Sequence, residues 1–126
     1  MKFKNIFHID NDPDDTEFFF AAALDACSSV SVEIFFDAQR ALERLGDIQI
    51  IPDAIFLDLN MPIMDGFEFL NKIKNQSVLQ SIPVIILSTT SLQETIDAAK
   101  KKGAAGFITK PSDYYQLVDI LKTYLL

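Results

Sequence analysis

Two carboxylates, a hydroxyl and an ammonium each close an apolar run of this chain. Ile6-Phe7-His8-Ile9 runs into Asp10-Asn11-Asp12, Ala54-Ile55-Phe56-Leu57 into Asp58, Val84-Ile85-Ile86-Leu87 into Ser88, and Gly106-Phe107-Ile108-Thr109 into Lys110. If the four endings converge, the carboxylates repel one another and stay ionised together only beside a cation. Oxygen donors with no histidine or thiol among the endings suit Mg²⁺, which keeps part of its water shell. The Lys110 ammonium is a compact charge suited to phosphate oxygens, and Ser88 can donate a hydrogen bond to the same oxygens. Such a set can transfer a phosphoryl group onto a carboxylate. Catalysis is then mostly positioning and neutralisation of charge.

The runs themselves say what must position these residues. Continuous, β-branched-rich segments are the pattern of parallel strands buried on both faces. Strand-like and helix-like segments alternate five times, which predicts a doubly wound α/β domain with a five-stranded parallel sheet. Strands are expected at about 5–9, 30–36, 54–57, 84–87 and 106–109, and helices at about 13–27, 38–45, 66–75, 92–102 and 113–125. In strand order 2-1-3-4-5, the flavodoxin-like (βα)5 arrangement, the switch in winding lies between strands one and three. Ligands bind there, beyond the carboxyl ends, so Asp10 and Asp58 become neighbours. Asp12-Pro13 supplies a cap and a proline for the first helix. Asp65-Gly66-Phe67-Glu68 and Ser91-Leu92-Gln93-Glu94 read as capping boxes, Ser112 as the cap of the last helix, and Gly103 as a helix stop. Phe18-Phe19-Phe20 cannot all face one sheet at about 100° per residue. One of them is therefore left for a flanking helix or a docking surface.

The chain has 126 residues, the length of one domain, with 49% hydrophobic and 23% charged residues. No apolar stretch nears the ~20 residues that span a bilayer. The start, Met1-Lys2-Phe3-Lys4-Asn5, leads into acidic residues and not a signal region, so a cytoplasmic protein without membrane attachment is expected. A single cysteine, Cys27, rules out an intrachain disulfide and reads as a small buried helix residue. The net charge of −7 argues against nucleic acid as a partner. Lys100-Lys101-Lys102 is the basic exception, placed where cations complement a helix C-terminus. Gly46, Gly66, Gly103 and Gly106 form no phosphate-cradling loop, which sets aside dinucleotide and P-loop roles.

The acids after the first strand, the segment Asp58-Leu59-Asn60-Met61-Pro62-Ile63-Met64-Asp65-Gly66, Ser88, and Lys110-Pro111 together resemble the receiver domain of two-component response regulators. The likeness covers essentially the whole chain and is nearest to single-domain, chemotaxis-type receivers. It implies the same sheet order and makes Asp58 the acceptor of a phosphoryl group from a histidine kinase or histidine phosphotransfer protein. Asp10 and its neighbour, Asn11 or Asp12, would hold Mg²⁺ with Asp58 and the backbone carbonyl of Asn60. Lys110 would pair with Asp58 or its phosphoryl group, Ser88 would turn toward the phosphoryl oxygen, and Phe107 would be the switch aromatic. The Lys110-Pro111 bond is expected to be cis, against a base rate of ~5–6% for bonds to proline.

Two departures from the family stand out. Asn11 replaces the second of two adjacent acids, which implies weaker Mg²⁺ binding. Phe107 replaces a tyrosine or histidine and cannot hydrogen-bond, leaving packing to bias its two positions. No output domain follows the last helix, so residues 1–126 are expected to act in trans as a receiver. The output face would be helix four, strand five and helix five, with Lys100, Lys101, Tyr114, Tyr115 and the region of Tyr124. Asn60 and Thr90, which flank the hydrolytic water in the family, supply no acid or base. Two other readings compete with a phosphoacceptor that is not itself an enzyme. Asn11 allows a degenerate receiver that binds a partner without phosphorylation. Asp10-Asn11-Asp12 is formally the Asp-x-Asp signature of haloacid-dehalogenase-type phosphatases, although that leaves Asp58 unexplained.

Overall fold

In the computed structural model, which describes residues 3–47, 49 and 51–126, the apolar runs are strands and the segments between them helices. Met1 and Lys2, part of the expected non-signal start, lie outside the described residues. The elements run β1 (Asn5–Ile9), α1 (Pro13–Ala26), β2 (Ser31–Phe35), α2 (Ala38–Gly46), β3 (Ala54–Asp58), α3 (Gly66–Lys74), β4 (Val84–Ser88), α4 (Gln93–Lys101), β5 (Gly106–Thr109) and α5 (Tyr114–Leu125). All pairings are parallel, in the order β2-β1-β3-β4-β5. Every residue of β3 and β4 is buried, while the edge strands β2 and β5 are half-covered. That difference is why the central strands read as unbroken apolar runs.

Alternation along the strands divides the core. Phe7, Ile9, Ile55, Leu57 and Ile86 pack with Leu45 of α2 and Phe69, Leu70 and Ile73 of α3. Ile6, Phe56, Ile85 and Leu87 face the other way, onto Phe19 of α1 and Leu117 and Leu121 of α5. Among the described residues no helix is long and apolar enough to cross a membrane.

Capping sets the helix starts, with two corrections. Asp12 accepts the Asp14 N–H, and Asp65 and Glu68 form the expected reciprocal capping box. Ser91 does not cap α4. Its N-cap is Leu92, without a side-chain bond, which leaves Ser91 one residue outside the cap position, and the Thr90 hydroxyl accepts the Leu92 N–H. Asp113, not Ser112, caps α5 by accepting the Tyr115 N–H, since a carboxylate one residue nearer the helix reaches its free donors. Gly103, with φ of 102°, ends the turn after α4 in a left-handed conformation. Cys27 is the half-buried residue just past α1 and not one within it. Of the three phenylalanines, Phe19 is buried, Phe18 packs edge-on against Tyr114 of α5, and Phe20 is exposed.

Candidate functional site

Strand register brings the endings together. Ile9 lies opposite Leu57, Asp58 opposite Leu87, and Ser88 opposite Thr109, so Asp10, Asp58, Ser88 and Lys110 share one end of the sheet. The Lys110 N–H donates to Ser88 O at 2.7 Å, which ties the end of β5 to the end of β4. From there the Lys110 ammonium reaches three carboxylates. Nζ lies 3.0 Å from Asp10 Oδ2, 2.8 Å from Asp15 Oδ2 and 3.3 Å from Asp58 Oδ1. Asp10 and Asp58 are 1% and 5% exposed.

Charge in this cluster does not balance. Three carboxylates against one ammonium leave two negative charges, which is the charge of one divalent cation. Burial pushes the Asp58 carboxyl above its ordinary range and the charge of Asp10 adds to the push, against the pull of Lys110. Burial likewise raises Asp10, outweighing the Asp12 N–H and Lys110. Burial alone would lower Lys110, but hydrogen bonds and charges from Asp15, Asp10 and Asp58 hold it above the usual lysine range. One cation shared among three acids cannot settle each of them.

The donors present fit Mg²⁺. Two buried carboxylates meet at the site, and the described residues donate no hydrogen bond to the Asn60 carbonyl oxygen. No three of His, Cys, Asp and Glu form a ready cage among the described residues. Mg²⁺ needs none, being held through one or two carboxylates with its remaining positions filled by water and phosphate. Each of the two other candidate ligands has one polar atom engaged elsewhere: Asn11 Nδ2 donates to Phe36 O at 3.3 Å, and Asp12 Oδ1 caps α1.

Ser88 is buried, and its Oγ accepts the Thr90 N–H at 3.2 Å. Phe107 is half-buried against the core between β4 and α3–α4, opposite Ile86. The Lys110-Pro111 bond is trans, contrary to expectation, as are all the described peptide bonds. Trans is the lower-energy isomer by about 0.5–1 kcal/mol, and here Lys110 already meets its partners from it. On the expected output face Tyr115 is exposed, whereas Tyr124 packs between Phe3 and Phe56 and Tyr114 donates from its hydroxyl to Asp25 of α1.

Gly66 lies against the backbone of the site. Its N–H donates to Leu59 O, and a Cβ there would lie 2.6 Å from Asp58 O and 2.8 Å from Leu59 Cα. Two members of the site were not foreseen. Asp15 belongs to an acidic first helical turn that reads as macrodipole complementation. Which of Asp14 and Asp15 faces Lys110 depends on the helix phase. His8 is buried beneath Asp10, with Nε2 3.8 Å from Asp10 Oδ2 and its ring stacked on Phe19. A histidine inside an apolar run was its only signal.

The model of the response regulator receiver domain family matches residues 6–122. The two-component response regulator ARR6 of Arabidopsis thaliana is 35% identical over 108 residues, 75% of this chain and 57% of that protein. The chain thus spans about half the length of the plant response regulators it resembles. The phosphorylated cyanobacterial phytochrome response regulator RcpA is similar in structure, with a TM-score of 0.86 and 30% identity over 97% of this chain and 91% of that one. The chemotaxis response regulator CheY4 of Vibrio cholerae has a TM-score of 0.83 and 26% identity over 99% and 100%.

Proposed function

This chain belongs to the response regulator receiver domain family, and we propose that it is a phosphoacceptor of a two-component phosphorelay, with Asp58 taking the phosphoryl group. The donor would be a histidine kinase or histidine phosphotransfer protein, and the compartment the cytoplasm. Support comes above all from the shared Lys110 ammonium, 3.0 Å from Asp10 and 3.3 Å from Asp58 at the end of β3. It holds the acceptor carboxylate in place while two negative charges stay open to a divalent cation.

Asp10, the Asp58 carboxylate and the Asn60 carbonyl would hold Mg²⁺, with Asn11 or Asp12 joining only through water. The metal supplies neutralisation of the phosphoryl oxygens as they approach two acids. Asp58 Oδ attacks phosphorus in line as the bond to the donor nitrogen breaks, and the donor imidazole leaves. Lys110 then trades its contact with the carboxylate for one with a phosphoryl oxygen. Ser88, whose Oγ is already held by the Thr90 N–H, donates its O–H to another. Inward packing of Phe107 would follow Ser88 and change the α4–β5–α5 face, where a downstream protein is read by Tyr115, Lys100 and Lys101. The chain would therefore relay a phosphoryl group and not turn over a separate substrate.

Asn11 favours a second reading, since its neutral amide, whose nitrogen donates to Phe36 O, adds no charge to the metal site. A receiver so altered could bind its partner without phosphorylation. Incubation with Mg²⁺ and acetyl phosphate, followed by intact-mass measurement, separates the two. One added phosphate in the wild type and none in Asp58→Ala supports the phosphoacceptor. No addition with acetyl phosphate or phosphoramidate favours the phosphorylation-independent module. Addition that survives Asp58→Ala but fails in Asp10→Ala overturns both.

A further inference from the structure

His8 is the chain's one histidine and is 1% exposed. Neither ring nitrogen has a hydrogen-bond partner, although both are buried. Buried polar atoms are nearly always satisfied by protein or by ordered water. A neutral imidazole carries one N–H donor and one bare acceptor nitrogen.

His8 also lines a cavity of about 40 Å³ with Asp10, Asp15 and Lys110 on its polar side and Phe18 and Phe19 on its apolar side. A water needs roughly 10–15 Å³ of such space and two to four polar partners. This cavity has both. The 3.8 Å between His8 Nε2 and Asp10 Oδ2 is too long for a direct hydrogen bond and short enough for one water to touch both groups.

We propose that the cavity binds a structural water joining the His8 ring to Asp10 and Lys110, and that His8 is thereby a positioning residue for the phosphoryl-acceptor site. The water accepts a hydrogen bond from Lys110 Nζ and donates one to Asp10 Oδ2 and one to the bare ring nitrogen of His8. Lys110 is thus held from below as well as by its three carboxylates, and Asp10 keeps its orientation when Lys110 turns to a phosphoryl oxygen. The volume leaves room for a second water. The positioning role rests on the phosphoacceptor reading, whereas the water site does not.

High-resolution crystallography tests the water directly. Ordered density within hydrogen-bond distance of a His8 nitrogen and of Asp10 or Lys110 is expected, and a dry cavity overturns the proposal. Because His8 is the only histidine, ¹⁵N-histidine labelling gives a single ring whose bare nitrogen reports hydrogen bonding. An upfield shift of that nitrogen relative to His8 in Lys110→Met supports the network, and identical shifts overturn it. For the role, His8→Leu is expected to slow acetyl phosphate-driven modification about tenfold or more, the scale on which supporting partners of a site act. Its melting temperature should be unchanged or raised, and His8→Gln should restore most of the rate. Modification of His8→Leu at the wild-type rate overturns the positioning role. A wild type that takes no phosphate in the same assay sinks the phosphoacceptor reading instead, and the density and ring shift still decide the water.

Discussion

Replacing Asp58 by asparagine is expected to make the metal-free protein more stable at neutral pH, although it removes a salt bridge. Lys110 Nζ is 3.0 Å from Asp10 Oδ2 and 3.3 Å from Asp58 Oδ1, so those two oxygens are at most 6.3 Å apart. At an effective dielectric of about 20, their repulsion is roughly 3 kcal/mol or more and the Lys110–Asp58 attraction roughly 5 kcal/mol. Burying the Asp58 carboxylate costs several kcal/mol besides, and the raised pKa shows that cost and repulsion together win. Asp58→Asn should therefore gain about 1–2 kcal/mol at pH 7 in EDTA, the low end of what replacing buried ionic groups yields, or roughly 4–8 °C in melting temperature for a chain of 126 residues. The pH dependence has a definite sign. A carboxyl whose folded pKa is raised takes up protons on folding, so it costs stability as pH climbs from the unfolded value of about 4 through the folded one. The gap between variant and wild type should be full at pH 7 and close as pH falls toward 4. Mg²⁺ should narrow it from the other side by stabilising the wild type more. Urea titrations at pH 7 and pH 4, with EDTA and with Mg²⁺, measure all of this. An Asp58→Asn protein equal to or less stable than the wild type at pH 7 in EDTA would refute the reasoning, because Lys110 would then outweigh burial and repulsion.

Gly66→Ala should lose about 1–3 kcal/mol in urea denaturation, the cost of overpacking, and its acetyl phosphate modification by mass should fall because the Cβ displaces the Asp58 backbone. Lys110→Met should slow the same modification by 10²-fold or more, the scale of losing one preorganised charge partner. It should also destabilise the EDTA-treated protein by about 3 kcal/mol through the buried carboxylates it leaves unpaired.

The fold and the four strand endings were legible because β3 and β4 are buried on both faces, which leaves a continuous apolar signature ending abruptly at Asp58 and Ser88. Register then follows from parallel pairing. What stayed hidden depends on three-dimensional phase and competition. Asp15 and Asp14 are equivalent in sequence, and only the rotation of α1 aims Asp15 at Lys110. Ser91-x-x-Glu94 matches a capping box, but α4 starts one residue later, which leaves Ser91 outside the cap position.

Gly66 has a bearing on how relatives of this chain are sorted. A survey that asks whether the acceptor acid, the lysine and the serine are present would score a protein as competent on chemistry alone. At Gly66 competence rests on an absence of atoms, 2.6 Å from the Asp58 carbonyl. A lineage could fall silent there with every reactive group intact. The informative column is then one that carries no reactive group, and loss of signalling would be recorded as the arrival of a methyl group.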